Sequence, residues 1–219
     1  MMLIWLLRLL GKISRLTRVG SGSTWPGHLM LGINPSFLKT FGKTFPGKII
    51  VVAGTNGKTT TSKMIRTVLE ANGKTVIHNE AGANLLNGIA SSIIHATGWD
   101  GKLPSVAIFE VDENTLPLFL EEVTPDVIIV LNLFRDQLDR YGEVNAIALN
   151  WKRALEKMPK DVVVVLNADD PHVAYLGKNL DAKVYYFGLE DKTLYLSRRP
   201  HAMDAVYCPN CGGRLTFEG

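Results

Sequence analysis

With 219 residues, 46% hydrophobic and 21% charged, the chain can bury one good core and a small appendage, and its composition is that of a soluble globular protein. The net charge of +3 is spread along the chain rather than gathered into a basic run, which argues against a nucleic-acid partner. The two cysteines, Cys208 and Cys211, sit together, a usage that suits a reducing cytoplasm and a metal better than a structural disulfide.

The apolar N-terminus, residues 1–10, is too short to span a bilayer, which takes roughly 20 apolar residues. Arg8, Lys12, Arg15 and Arg18 interrupt or follow the apolar stretch instead of preceding it, so it also fails as a signal peptide. An amphipathic helix is expected, with two readings open: packing against the protein or a partner, or peripheral contact with the membrane surface from the cytoplasmic side. Residues 21–47 are rich in Gly, Pro, Ser and Thr and read as a connecting segment with one short helix near 35–40.

Beyond it, strand-like runs recur at 49–53, 76–78, 106–111, 127–131, 162–166 and 184–187, several too uniformly apolar to have a solvated face. Helical patterns lie between them at 59–72, 84–96, 116–122 and 146–157. The alternation predicts an α/β fold, a mostly parallel sheet with helices on both faces and ligands at the carboxyl ends of its strands. From about Asp191 the pattern stops. The expected division is an N-terminal helix and connector over 1–46, a nucleotide-binding domain over 47–190 and a separate element over 191–219.

The segment Gly54-Thr55-Asn56-Gly57-Lys58-Thr59-Thr60 follows the first core strand and leads into a helix, as a phosphate-binding loop does. Its two glycines let backbone N–H groups turn toward a polyphosphate, and the helix adds the positive end of its dipole. Lys58 is then placed to reach the β- and γ-phosphates, and the Thr59 hydroxyl to ligate Mg²⁺. Position 52 is Val where the longer form of the motif has its first Gly, so the loop is the compressed form. The bland alternative is a glycine turn with a surface lysine.

Glu110 ends the apolar run 106–109, and a carboxylate there can complete a Mg²⁺ shell begun by Thr59; of the three acids Glu110, Asp112 and Glu113 it is the favoured one. After the run 126–131 come Asn132-Leu133-Phe134-Arg135-Asp136-Gln137-Leu138-Asp139-Arg140-Tyr141-Gly142-Glu143, a crowd of charge that points to function. Asn167-Ala168-Asp169-Asp170-Pro171 repeats the theme, with a plain helix-capping turn as the equal alternative.

In this order the phosphate loop, Glu110, Asn132 with Asp136 and Asp139, and residues 167–171 resemble the central ATPase domain of the Mur ligase family. The resemblance implies ATP-dependent phosphorylation of a carboxylate followed by attack of an amine, with Asn132, Asn167 and Asp169 joining the loop in binding the nucleotide. Where that family has a metal-binding His, this chain has Gln137, and the carbamylated Lys of many members would fall at Lys152, which also reads as an ordinary helix lysine. The run Asn132 to Glu143, the element Gly82-Ala83-Asn84-Leu85 and the Cys208-Pro209-Asn210-Cys211-Gly212 knuckle narrow the resemblance to MurT-type synthetase subunits of lipid II isoglutaminyl synthases. That branch implies lipid II as substrate, ammonia from a GatD-type glutaminase partner, and Zn²⁺ on a four-cysteine ribbon whose second pair lies beyond Gly219. Physically, the knuckle supplies half a tetrahedral zinc site, and His201 is a candidate third ligand. Two other readings stand beside this one: an amino-acid ligase of muramyl or folylpolyglutamate type, and a nucleotide-binding module without catalysis.

Overall fold

The computed structural model describes residues 24–79, 82–134, 143–191, 193 and 207–215. Six parallel strands, β1 (Lys48–Ala53), β2 (Val76–His78), β3 (Val106–Val111), β4 (Val127–Val130), β5 (Val163–Asn167) and β6 (Lys183–Phe187), form one sheet in the order β2-β3-β1-β4-β5-β6. All six expected strands are present, each within a residue or two of its expected bounds.

The sheet has two unlike faces. On one, alternate residues Ile49, Val51, Ala53, Ala107, Phe109, Val111, Ile128, Val130, Val164 and Leu166 build the larger core under α4 (Leu86–Ala96), α5 (Thr115–Glu122), α6 (Glu143–Leu155) and α7 (Pro171–Leu176). On the other, Val52, Val106, Ile108 and Leu131 meet Ile65 and Leu69 of α3 (Lys58–Ala71). Because side chains alternate along a strand, Glu110 shares the α3 face with Val106 and Ile108. In parallel register His78 lies beside Ile108, which puts it on that face too.

Residues 24–46 differ from the connector expected for them. They form two helices, α1 (Trp25–Ile33) and α2 (Phe37–Thr44), and Leu38, Phe41 and Phe45 belong to the larger core. Pro26 and Gly27 there serve the helix and its packing. Pro26 starts α1, and Gly27 lies so close to α4 that a Cβ would sit 1.9 Å from the Asn87 carbonyl oxygen, while its N–H donates to Ser91 Oγ at 2.8 Å. The expected N-terminal amphipathic helix lies outside the described residues.

Two connections diverge at the middle of the sheet. After β1 the chain turns toward β2 and β3, and after the adjacent β4 it turns toward β5 and β6. The crevice opened between the carboxyl ends of β1 and β4 is the switch point at which open α/β sheets bind ligands.

Candidate functional site

The loop from Gly54 to Gly57 fills that crevice. Gly54 has φ +144° and Gly57 φ +85°, conformations that favour glycine, and α3 begins directly at Lys58 with no acidic residue in its first turn. At Gly57 a Cβ would clear its nearest neighbour at 3.5 Å, so substitution there tests backbone strain with little clash. Gly57→Ala is expected to cost about 1–2 kcal/mol, read as a melting temperature lower by roughly 2–4 °C per kcal/mol for a chain of this size.

The β4 loop holds this turn in place. Thr55 N–H donates to the Asn132 carbonyl at 3.0 Å, Asn56 N–H donates to Asn132 Oδ1 at 2.8 Å, and Asn132 Nδ2 donates back to the Asn56 carbonyl at 3.0 Å. Phe134 N–H donates to Thr55 Oγ1 at 3.0 Å. Asn132, expected among the nucleotide contacts, thus spends its amide on the backbone of the loop.

Lys58 lies back over the loop, its Nζ donating to the carbonyls of Gly54 and of Thr55, the latter at 3.1 Å, with Glu113 Oε2 at 3.8 Å. Glu113 is half-buried, and burial together with the neighbouring Asp112 pushes its carboxyl above the usual range, which Lys58 only partly offsets. It therefore faces the loop lysine rather than solvent, as a plain acidic loop residue would not. Thr60 is exposed.

Below the loop, on the α3 face, Glu110 is 2% exposed. Thr59 Oγ1 donates to its Oε2 at 2.8 Å and Ser62 Oγ to its Oε1 at 2.7 Å; His78 Nε2 lies 3.3 Å from Oε1. Burial by itself raises the carboxyl pKa, but the hydrogen bonds from His78, Ser62 and Thr59 outweigh it and hold the group below its usual range. A charged carboxylate beside a threonine hydroxyl is the oxygen donor set that suits Mg²⁺. Two neighbouring ligands at roughly 2.0–2.1 Å from an octahedral Mg²⁺ lie about 2.9 Å apart, and the observed 2.8 Å between Thr59 Oγ1 and Glu110 Oε2 fits that edge.

Ser62, His78 and Asn79 escaped the sequence reading. The signal for the first two was present: Ser62 is one helical turn beyond Thr59, and His78 has the parity of the α3 face. Asn79 is fully buried and pairs with the Glu110 backbone at both ends, which only the tertiary pairing of β2 with β3 reveals.

The Asn167 to Pro171 segment is mainly architectural. Asn167 Oδ1 accepts from Asp169 N–H at 2.9 Å, and Asp169 Oδ2 accepts from Leu189 N–H at 2.9 Å. Asp170 caps α7 through His172 and Val173 N–H and accepts from Leu133 N–H at 2.7 Å. Lys152 is 8% exposed and its Nζ faces the carbonyls of Leu176 and Lys178 and Glu156 Oε1. That acceptor set suits an ammonium capping the end of α7, whereas a carbamate there would oppose oxygen with oxygen. Asp136, Gln137, Asp139 and Arg140 lie outside the described residues, as does His201.

Cys208 and Cys211 sit in a tight turn closed by Cys208 N–H to the Gly213 carbonyl at 2.8 Å and Gly212 N–H to the Cys208 carbonyl at 2.9 Å. Backbone N–H groups of Cys211 and Asn210 hold the Cys208 thiol below its usual range, toward the thiolate that a metal takes. Among the described residues no group of three or more His, Cys, Asp or Glu side chains is arranged to hold a metal, so the expected ribbon is not seen as a complete site. No helix among them is long and apolar enough to cross a membrane.

Residues 52–205 match the model of the Mur ligase middle domain. The chain is 36% identical, over 98% of its length and 47% of the relative, to subunit MurT of the glutamine-hydrolysing lipid II isoglutaminyl synthase of Staphylococcus aureus (strain COL). It is 32% identical to the Streptococcus pneumoniae (strain ATCC BAA-255 / R6) subunit of that name, over 93% of this chain and 44% of the relative. It therefore spans about half the length of these curated relatives. Among solved structures, MurF ligase from Thermotoga maritima in complex with ADP superposes with TM-score 0.55 at 22% identity, covering 79% of this chain and 38% of that one. A MurF from Acinetobacter baumannii gives 0.59 at 19% identity over 73% and 35% of the two chains, a likeness of fold.

Proposed function

The chain belongs to the Mur ligase family through its middle domain, and from that premise we propose that it is the nucleotide-binding part of a MurT-type synthetase. In this reading residues 47–190, with α1 and α2 packed on them, bind ATP. Residues 191–219 begin a zinc-binding element in which Cys208 and Cys211 supply two thiolates. The reaction is amidation of the D-glutamate α-carboxylate in the lipid II stem peptide to D-isoglutamine.

In the first step a carboxylate oxygen attacks the γ-phosphorus of ATP, the bond to the β,γ-bridging oxygen breaks, and ADP leaves. Ammonia supplied by a GatD-type glutaminase then attacks the acyl carbon, loses a proton, and expels inorganic phosphate as the C–O bond breaks. The N–H groups of residues 54–60 and the Lys58 ammonium stabilise charge on the transferring group, which is mainly electrostatic and positional work. Thr59 and Glu110 would hold Mg²⁺, which when bound neutralises phosphate charge. Asn132 keeps the loop in shape, and Asn167 and Asp169 would contact the nucleotide.

The observation that carries this reading is the Glu110–Thr59 oxygen pair directly beneath a glycine loop whose lysine is aimed over it. The names of the similar subunits support the substrate and a second subunit as partner. The test supplies lipid II, ATP, Mg²⁺, glutamine and a GatD-type glutaminase to the protein, and reads the stem peptide by mass spectrometry. ATP-dependent conversion of D-glutamate to D-isoglutamine is expected. ATP consumption with an added amino acid instead of ammonia would favour the muramyl or folylpolyglutamate reading, and neither outcome would leave a nucleotide-binding module.

A further inference from the structure

We propose that Ser62 and His78 are positioning residues that occupy Oε1 of Glu110 and so present Oε2 alone to a divalent cation, making the site favour a small octahedral ion over a larger one. The proposal rests on the reading of Thr59 and Glu110 as cation ligands and adds what sets their selectivity.

A count of protons gives the arrangement its direction. Ser62 Oγ has one hydrogen, and the Glu110 Oε1 acceptor at 2.7 Å outcompetes the Thr59 carbonyl at 3.2 Å. With that hydrogen committed, Ser62 Oγ can only accept from His78 Nε2, 3.0 Å away, so Nε2 carries the imidazole hydrogen. The same N–H lies 3.3 Å from Glu110 Oε1. Oε1 thus takes the Ser62 hydrogen, and the His78 N–H fixes the Ser62 hydroxyl that donates it, while Oε2 faces Thr59 Oγ1, the group paired with it for the cation.

The backbone cannot swing to change this. Glu110 N–H donates to Asn79 Oδ1 and Asn79 Nδ2 donates to the Glu110 carbonyl, each at 2.8 Å, and Asn79 Nδ2 also reaches the Ala83 carbonyl at 2.8 Å. Ser62 and Asn79 are fully buried and the His78 side chain is 5% exposed, so water is a poor substitute for any of these partners. Mg²⁺ takes a carboxylate through one oxygen within a strict octahedron, whereas Ca²⁺ takes more oxygens and often chelates a carboxylate through both. Chelation here would strip Ser62 and His78 from Oε1.

The experiment measures ADP binding by calorimetry in EDTA, and then the Mg²⁺ and Ca²⁺ concentrations that half-maximally enhance it, for the wild type, Ser62→Ala, His78→Leu and His78→Gln. ADP affinity in EDTA is expected to stay unchanged. The preference for Mg²⁺ over Ca²⁺ is expected to fall about tenfold in Ser62→Ala and His78→Leu, and to return in His78→Gln, which keeps an N–H donor at similar reach. An unchanged preference in Ser62→Ala would overturn the proposal, and that variant removes a single oxygen and decides the matter even if His78→Leu fails to fold. A wild type whose ADP binding ignores both ions would instead sink the reading of Thr59 and Glu110 as cation ligands.

Discussion

Lys58→Ala is expected to lower ATP-dependent turnover about a thousandfold, ~4 kcal/mol of transition-state stabilisation, while leaving the fold intact. Phosphoryl transfer spreads negative charge over the equatorial oxygens, and a preorganised cation beside them does the work that water would otherwise do. Lys58 is the first residue of α3, so its stem starts where the helix dipole is positive and the loop N–H groups converge. Its present partners, two loop carbonyls and Glu113 at 3.8 Å, are oxygens that phosphate oxygens can replace. Removing these contacts is expected to cost the fold little, because the Asn132 bonds hold the loop without any part from Lys58. Steady-state kcat/KM and a melting curve check both halves, and wild-type turnover in the variant would remove Lys58 from the chemistry.

The architecture was readable because it depends on patterns that survive in one dimension. Each of the six strands is a short apolar run, and each of α3 to α6 carries a 3.6-residue apolar period, so the parallel sheet follows from their alternation. The glycine loop was readable from its Gly54, Gly57, Lys58 and Thr59 spacing after an apolar run, and Glu110 because a carboxylate at the end of a buried strand is costly without a partner. What sequence could not supply was pairing between distant segments. Asn132 looks like a ligand until β4 is placed beside β1 and its amide meets Asn56. His78 ends a short edge strand, and only the pairing of β2 with β3 brings it beside Glu110. The glycine- and proline-rich stretch around α1 looked like linker because composition does not distinguish a flexible glycine from one, such as Gly27, that permits two helices to touch.

Asp170→Ala is the second large effect, and it acts on stability. Asp170 is 6% exposed and its two oxygens serve two elements: Oδ1 caps α7 through His172 N–H at 2.9 Å and Val173 N–H at 3.2 Å, and Oδ2 accepts from Leu133 N–H at 2.7 Å. Losing a helix cap costs about 1 kcal/mol, and leaving the buried Leu133 N–H without an acceptor costs about 1–3 kcal/mol more. A loss of about 3 kcal/mol is expected, a large share of the roughly 5–15 kcal/mol by which domains are stable. The effect should also reach the nucleotide. Leu133 directly follows Asn132, whose amide holds Asn56, so a loosened β4 loop releases the phosphate loop and weakens ADP binding together with stability. Asp170→Asn separates the two roles, since one oxygen remains and can satisfy either α7 or Leu133. It should lose about half as much stability, and an unchanged melting temperature in Asp170→Ala would show that neither bond matters to the fold.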